Sequence, residues 1–165
     1  MAVIQAVVSS IEIKIEPDSE YLVEADEFNW NAQIPSDATI EGIQIDANAC
    51  LAAGTNPSTE LTLLEITNGD DDYSDRKKPS TEGYTTYPTF SLETYGGLET
   101  LWGLSWTPTD FNTQRFAVRF RGEGVLDEGI FYSNSLRVYV QYTDPAPGRI
   151  NIIDNIKLTS GKISL

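Results

Sequence analysis

Carboxylates are the side chains with the clearest chemical potential, and three of them lie close together in one polar segment, Asn68–Thr81. Asp70, Asp72 and Asp75 could supply oxygen ligands to Ca²⁺, which takes about six to eight oxygens. Their spacing does not fit an EF-hand loop, and a basic run, 76–78, follows at once. The favoured interpretation is a solvated loop whose acids pair loosely with these cations, and a calcium site is the alternative.

Catalytic groups of the usual kinds are missing from the sequence, which contains no histidine and a single cysteine, Cys50. The chain therefore lacks the commonest general base, the commonest activator of a nucleophile and the commonest zinc ligand. Gly96-Gly97 lacks the Lys-Ser/Thr of a phosphate-binding loop. Two carboxylates could still hydrolyse a glycoside, but nothing singles out a pair among the 25 acids. We expect a protein that is not an enzyme and holds no cofactor, with Cys50 as a small buried residue.

Aromatic residues form another candidate site, because Tyr and Trp rings can make a platform on which sugars stack. Within Leu101–Trp106 the apolar positions are too dense for an exposed platform, so Trp102 and Trp106 are predicted to lie in the core. The candidate rings are Tyr84, Tyr87, Tyr95, Trp102 and Trp106.

The elements that must position these residues are predicted to be strands, since apolar and polar residues alternate along several short segments. A Thr followed by Pro predicts one helical turn at Thr107–Phe111. The sequence predicts an all-β antiparallel sandwich, jelly-roll-like, of seven to eight strands with N- and C-terminal extensions. The predicted strands are Ile11–Glu16, Tyr21–Ala25, Ile40–Ala47, Leu61–Thr67, Tyr84–Leu92, Phe116–Arg121 and Leu136–Tyr142, and the predicted core includes Trp102, Trp106, Phe116, Val118, Phe120, Val138 and Val140.

Charge excludes two classes of partner. The chain has 11 basic and 25 acidic residues, a formal net charge of −14. Such a surface repels a phosphate backbone and an anionic membrane, so we expect no nucleic acid and no membrane partner. The N-terminal segment lacks the basic region of a signal peptide, which indicates folding in a cytoplasm.

The C-terminal segment 145–165 differs from the rest of the chain in being cationic, and it follows a Pro-rich break. It can form the last strand of its own sheet or dock on a neighbouring subunit, and an arm exchanged between subunits is the favoured interpretation. The candidate interface residues are Arg76, Lys77, Lys78, Arg149, Ile150, Ile152, Ile153 and Ile156.

Two motifs carry a resemblance to a known family. Ile34-Pro35-Ser36-Asp37-Ala38-Thr39-Ile40 precedes a strand, and Thr94–Asn112 (TYGGLETLWGLSWTPTDFN) is an unusual string. Together with strands at Phe116–Phe120 and Leu136–Thr143, they make residues 34–143 similar to β-sandwich modules of tailed-bacteriophage virion structural proteins. The resemblance divides the chain into N-terminal strands or an arm (1–33), a sandwich module (34–144) and a C-terminal extension (145–165).

The resemblance implies a virion setting and no catalytic role. The leading expectation is a capsid decoration, or cement, protein that forms a homo-oligomer, favoured as a trimer, and contacts the major capsid protein or other virion proteins. The alternative is a carbohydrate- or receptor-binding module of a tail or fibre. Location in the virion, after assembly in the host cytoplasm, follows from the same resemblance.

Overall fold

A computed structural model describes residues 1–15, 20–23, 27–51, 61–69, 73–75, 85–113, 115–123 and 131–145. The predicted all-β class is confirmed, because these ranges contain nine strands and a single five-residue helix. In the described part of the chain no helix is long and apolar enough to cross a membrane. The elements are β1 (Ala2–Ile15), β2 (Glu20–Val23), β3 (Asn29–Trp30), β4 (Thr39–Leu51), β5 (Leu61–Thr67), β6 (Thr85–Thr86), β7 (Ser91–Gly97), α1 (Pro108–Asn112), β8 (Ala117–Glu123) and β9 (Phe131–Thr143).

Two sheets form a sandwich-like arrangement. The larger has six strands in the order β3-β1-β9-β4, beyond which both β6 and β7 pair with β4, and the smaller has the order β2-β8-β5. The strand pairs are antiparallel as predicted except for one, in which β6 pairs in parallel with β4 at Cys50↔Thr85. A parallel pair requires a crossover connection, and β5 in the other sheet lies along that connection.

The predicted strand Tyr84–Leu92 is also wrong, because the structure places the separate strands β6 and β7 there, with a turn at Tyr87–Pro88 between them. Pro88 has no backbone N–H to donate to a strand ladder, which explains the interruption.

Apolar residues at every second position of β4 and β9 build much of the core. On β4 the side chains of Ile43, Ile45 and Ala47 are buried, and on β9 those of Leu136, Val138 and Val140. Burying an Ile, Leu or Val side chain contributes about 1.5–3 kcal/mol. All seven residues predicted for the core are buried: Trp102, Trp106, Phe116, Val118, Phe120, Val138 and Val140.

The N-terminal segment belongs to the sheet. Ile4, Ala6 and Val8 on β1 are buried on the inner face, and β1 pairs with β9 from Ala2↔Tyr142 to Ile15↔Phe131. On its other edge β1 pairs with the two-residue strand β3 at Ala6 and Val7. Residues 1–15 are therefore part of the sandwich and not an arm that projects from it.

The predicted helical turn is confirmed as α1. Pro108 occupies its first turn, and the Asp110 carboxylate accepts hydrogen bonds from the Thr107 N–H (2.7 Å) and the Thr107 hydroxyl (2.9 Å). These bonds fix the first turn of a helix that is too short to be stable alone. The helix ends at Asn112, whose side chain is hydrogen-bonded to Ile34 in the segment before β4.

Candidate functional sites

The structure describes only part of the polar segment Asn68–Thr81, which we call the charged loop. Asp70, Asp72 and the basic run 76–78 lie outside the described residues, as do the interface candidates between 149 and 156. Asp75 is exposed, and its backbone N–H donates to the Trp102 carbonyl (3.0 Å). Across the ranges that the structure describes, no three His, Cys, Asp or Glu residues are grouped as metal ligands.

The segment before Asp75 is fastened to the smaller sheet. The Arg119 guanidinium lies 3.4 Å from the centroid of the Tyr73 ring and forms an ion pair with Glu65, which is 4 % exposed. Ser74 exchanges two hydrogen bonds with Ile66, through its backbone N–H and its hydroxyl oxygen. These contacts explain how the end of the charged loop is positioned, and they assign Glu65 a structural ion pair.

The predicted buried character of Cys50 agrees with its position, since its side chain is fully buried. Burial raises the pKa of the Cys50 thiol above its ordinary value, because the thiolate would lose its hydration. The thiol therefore stays protonated near neutral pH and is a poor nucleophile or metal ligand.

The aromatic residues 84–106 do not form a sugar platform in the described structure. Tyr95, Trp102 and Trp106 are buried, and Tyr87 is exposed. The Trp102 indole N–H donates to the Ile43 carbonyl and that of Trp106 to the Leu101 carbonyl, both at 2.8 Å. Tyr84 lies outside the described residues.

A groove on another part of the surface has an aromatic floor, and we call it the aromatic groove. One wall is the segment 28–33, which contains β3, and the other is the end of α1. Its volume is about 490 Å³. The lining residues are Phe28, Asn29, Trp30, Ala32, Gln33, Phe111, Asn112 and Thr113.

Trp30 is the central ring of this groove. It is half-buried, and its ring centroid lies 5.5 Å from that of Phe111 and 5.9 Å from that of Phe116, both edge-on. Such edge-to-face pairs are favourable and fix the orientation of a ring. The floor of the groove is therefore a surface of packed aromatic rings, one of which, Trp30, is partly accessible.

Asn112 joins the two walls of the groove. Its side-chain oxygen accepts a hydrogen bond from the Ile34 N–H (3.0 Å), and its side-chain N–H donates to the Ile34 carbonyl (2.7 Å). Within the segment, Asn31 provides a second attachment, since its side-chain oxygen accepts from the Gln5 N–H (2.9 Å). Both attachments use amide side chains, so the groove is preformed.

A different surface, formed by twelve outward residues in the central part of the larger sheet, has few charges; Glu12 and Lys14 of β1 and Glu41 of β4 are not part of it. We call it the neutral face and define it by these residues, which lie on four adjacent strands. Its charged members are one acid, Asp46, and one base, Arg137, which are register neighbours. The full set is Val3, Gln5 and Val7 on β1, Ser135, Arg137, Tyr139 and Gln141 on β9, Gln44, Asp46 and Asn48 on β4, and Leu92 and Thr94 on β7.

Hydrogen bonds hold the acid of the neutral face in place. Asp46, 7 % exposed, accepts from the Gln44 side-chain N–H (3.0 Å) and from the Thr94 hydroxyl (2.9 Å). Val3 and Leu92 are exposed apolar residues on the same face. The surface thus combines apolar, amide and hydroxyl side chains with zero net formal charge.

Sequence reasoning missed both surfaces. Trp30 lies in a two-residue strand that is too short to show alternation, and its partner rings, Phe111 and Phe116, are far away in the chain. The neutral face could have been found by reading the polar positions of β4 and β9, where amides and hydroxyls replace the expected acids.

Comparison with protein-family models, with curated proteins and with solved structures returns no match for this chain.

Proposed function

We propose that this protein is a non-enzymatic structural protein of a bacteriophage virion, which assembles with copies of itself and with neighbouring virion proteins. The observation that carries the self-association is the neutral face, and the virion setting is proposed from the resemblance of residues 34–143. The chain has a net charge of −14, yet this face has one acid and one base. The centre of a protein–protein interface typically has few charged residues but is rich in Tyr and Arg, and the neutral face contains Tyr139 and Arg137.

The neutral face is smaller than a complete protein–protein interface. Four strands about 4.8 Å apart and four rows of outward side chains cover an area of roughly 15 Å by 20 Å. A stable interface buries about 800 Å² on each partner, so the face supplies its centre and a rim must come from adjoining segments. The candidate interface residues of the charged loop and the C-terminal segment are proposed for that rim.

A capsid decoration role fits a small sandwich that has a strongly acidic body and presents one sheet face with no net charge. Acidic bodies repel each other, so association would be confined to the neutral face and to cationic segments. A homotrimer on a three-fold axis of the capsid, in contact with the major capsid protein, is the assembly that we propose.

Adding charge to the neutral face tests the self-association. Gln5 and Gln141 are polar, outward and not fully exposed, and Glu has nearly the same shape as Gln. In the full chain we expect Gln5→Glu with Gln141→Glu to weaken the oligomer at least tenfold, measured by light scattering over a range of concentrations. The control adds the same charge outside the four strands, with Ser36→Glu and Thr109→Glu, and should leave the oligomer unchanged.

The result that would contradict the proposal is a wild-type chain that stays monomeric and does not sediment with purified phage particles. If the two double variants weakened the oligomer equally, the neutral face would not be part of the interface. Antibody labelling of particles by electron microscopy then distinguishes positions: label over the capsid supports decoration, and label confined to the tail supports a tail or fibre role.

A further inference from the structure

The aromatic groove has no charged side chain among its lining residues. This is unexpected for a chain in which acids and bases make up 22 % of the residues and the net charge is −14. A groove of about 490 Å³ is within the size range of small-molecule sites. An uncharged lining gives no compensation for the desolvation of an ionic ligand, so the groove suits a neutral one.

The three tryptophans differ in how their indole N–H groups are used. Trp102 and Trp106 donate to backbone carbonyls, whereas Trp30 has no hydrogen-bond acceptor among the residues that the structure describes. Trp30 is also the half-buried ring of the groove. It can therefore offer both a ring face and an N–H donor to a ligand.

Amides flank this ring. The side chains of Asn29 and Gln33 are exposed on the groove wall, and each amide has an acceptor oxygen and two N–H donors. Thr113 adds a hydroxyl oxygen, whose hydrogen is directed to the Thr109 carbonyl at 2.7 Å. A ligand that matches this set needs many hydroxyls, each able to donate and accept, together with an apolar face for the ring.

We propose that the aromatic groove binds a neutral saccharide. A pyranose has a C–H face that packs on an aromatic ring and equatorial hydroxyls that bond to amides. In this arrangement the sugar lies against Trp30, and its hydroxyls bond to Asn29 and Gln33. The inference does not rest on the proposed assembly role, because the groove and the neutral face share no residue.

Tryptophan emission of the full chain, recorded during titration, tests the proposal. The probes are the neutral disaccharides cellobiose, lactose and diacetylchitobiose, with sialyllactose as an anionic comparison. We expect a saturable change with at least one neutral disaccharide and no tighter binding of sialyllactose than of lactose. Trp30→Phe should remove most of the emission change, because the other two indoles are buried.

The exposed amides provide variants that leave the fold intact. Asn29→Ala and Gln33→Ala should each weaken binding on the order of three- to tenfold, as calorimetry of the sugar titration would measure. The matched control is Asn134→Ala, an exposed amide of β9 outside the groove, which should bind as the wild type does.

Three results would overturn the saccharide assignment. The first is that none of the neutral disaccharides binds. The second is that the groove variants and Asn134→Ala bind equally well. The third is that a synthetic peptide of residues 146–165 saturates the Trp30 signal while the sugars do not, which would assign the groove to a protein segment.

Discussion

Trp30 and Trp106 contact the same two phenylalanines from different parts of the chain. The ring centroids of Trp106 lie 5.6 Å from Phe111 and 5.8 Å from Phe116, close to the 5.5 Å and 5.9 Å found for Trp30. In the Leu101–Trp106 region, which we call the closed turn, both indole rings are buried and both indole N–H groups donate to backbone carbonyls. In the aromatic groove, by contrast, the Trp30 indole is partly accessible. The comparison indicates that ring packing alone does not distinguish core from site.

The difference arises from what surrounds each ring. Next to Trp102, Gly96 at positive φ (67°) lets the backbone approach the ring, and Gly103 at positive φ (74°) lets the turn pass close to the Asp75 carboxylate. A Cβ at Gly96 would lie within 2.7 Å of the Trp102 ring, so only glycine fits there. The groove wall 28–33 contains no glycine; it is held by the pairing of β3 with β1 and by the side-chain amides of Asn31 and Asn112.

The largest expected effect is on the closed turn. Trp102→Ala removes a ring that is 1 % exposed and breaks its hydrogen bond to the Ile43 carbonyl. We expect a loss of about 3–5 kcal/mol in the free energy of unfolding, measured by urea denaturation, because a large cavity is left. Tyr87→Ala is the control, since that ring is 54 % exposed and should cost below about 1 kcal/mol. Equal losses would mean that the Trp102 turn does not contribute to the core.

A middle-sized effect is expected where the groove is joined to the core. Asn112→Ala removes both hydrogen bonds to Ile34, a residue that is 2 % exposed. The freed backbone groups remain buried, so we expect a loss of roughly 2 kcal/mol by urea denaturation, together with weaker sugar binding.

Thr113→Ala is the neighbouring control for Asn112→Ala. It removes a hydroxyl that bonds only within α1, and the expected change in unfolding free energy is below about 0.5 kcal/mol. If Asn112→Ala kept wild-type stability, the two groove walls would be held by other contacts, and the groove could not be described as preformed by this residue.

Much of the fold was predictable because alternation is a local signal. On β4 and β9 the apolar positions recur every second residue, and Thr107 with Pro108 marks the start of α1. The position of β1 in the larger sheet was not predictable in the same way. Its first residues alternate only weakly, and its place between β3 and β9 depends on pairing with residues more than 100 positions away.

The candidate sites were less predictable for a physical reason. The neutral face is assembled from four strands, and the groove joins residue 30 to residue 111, so neither exists within a single window of sequence. What the sequence does reveal is that Trp102 and Trp106 are in a densely apolar string and Trp30 is between two asparagines. That contrast in neighbours matches the burial of the three rings.

The smallest expected effect isolates the indole N–H itself. Trp106→Phe and Trp30→Phe remove the same atoms from rings that touch Phe111 and Phe116 at nearly equal distances. Only Trp106 loses a hydrogen bond to a protein carbonyl, that of Leu101 at 2.8 Å, so its substitution should cost about 1 kcal/mol more in urea denaturation. Equal costs would mean that the bond to Leu101 adds nothing beyond hydration. A larger cost for Trp30→Phe would mean that the Trp30 indole is already bonded within the protein, and that it is not free to bind a ligand.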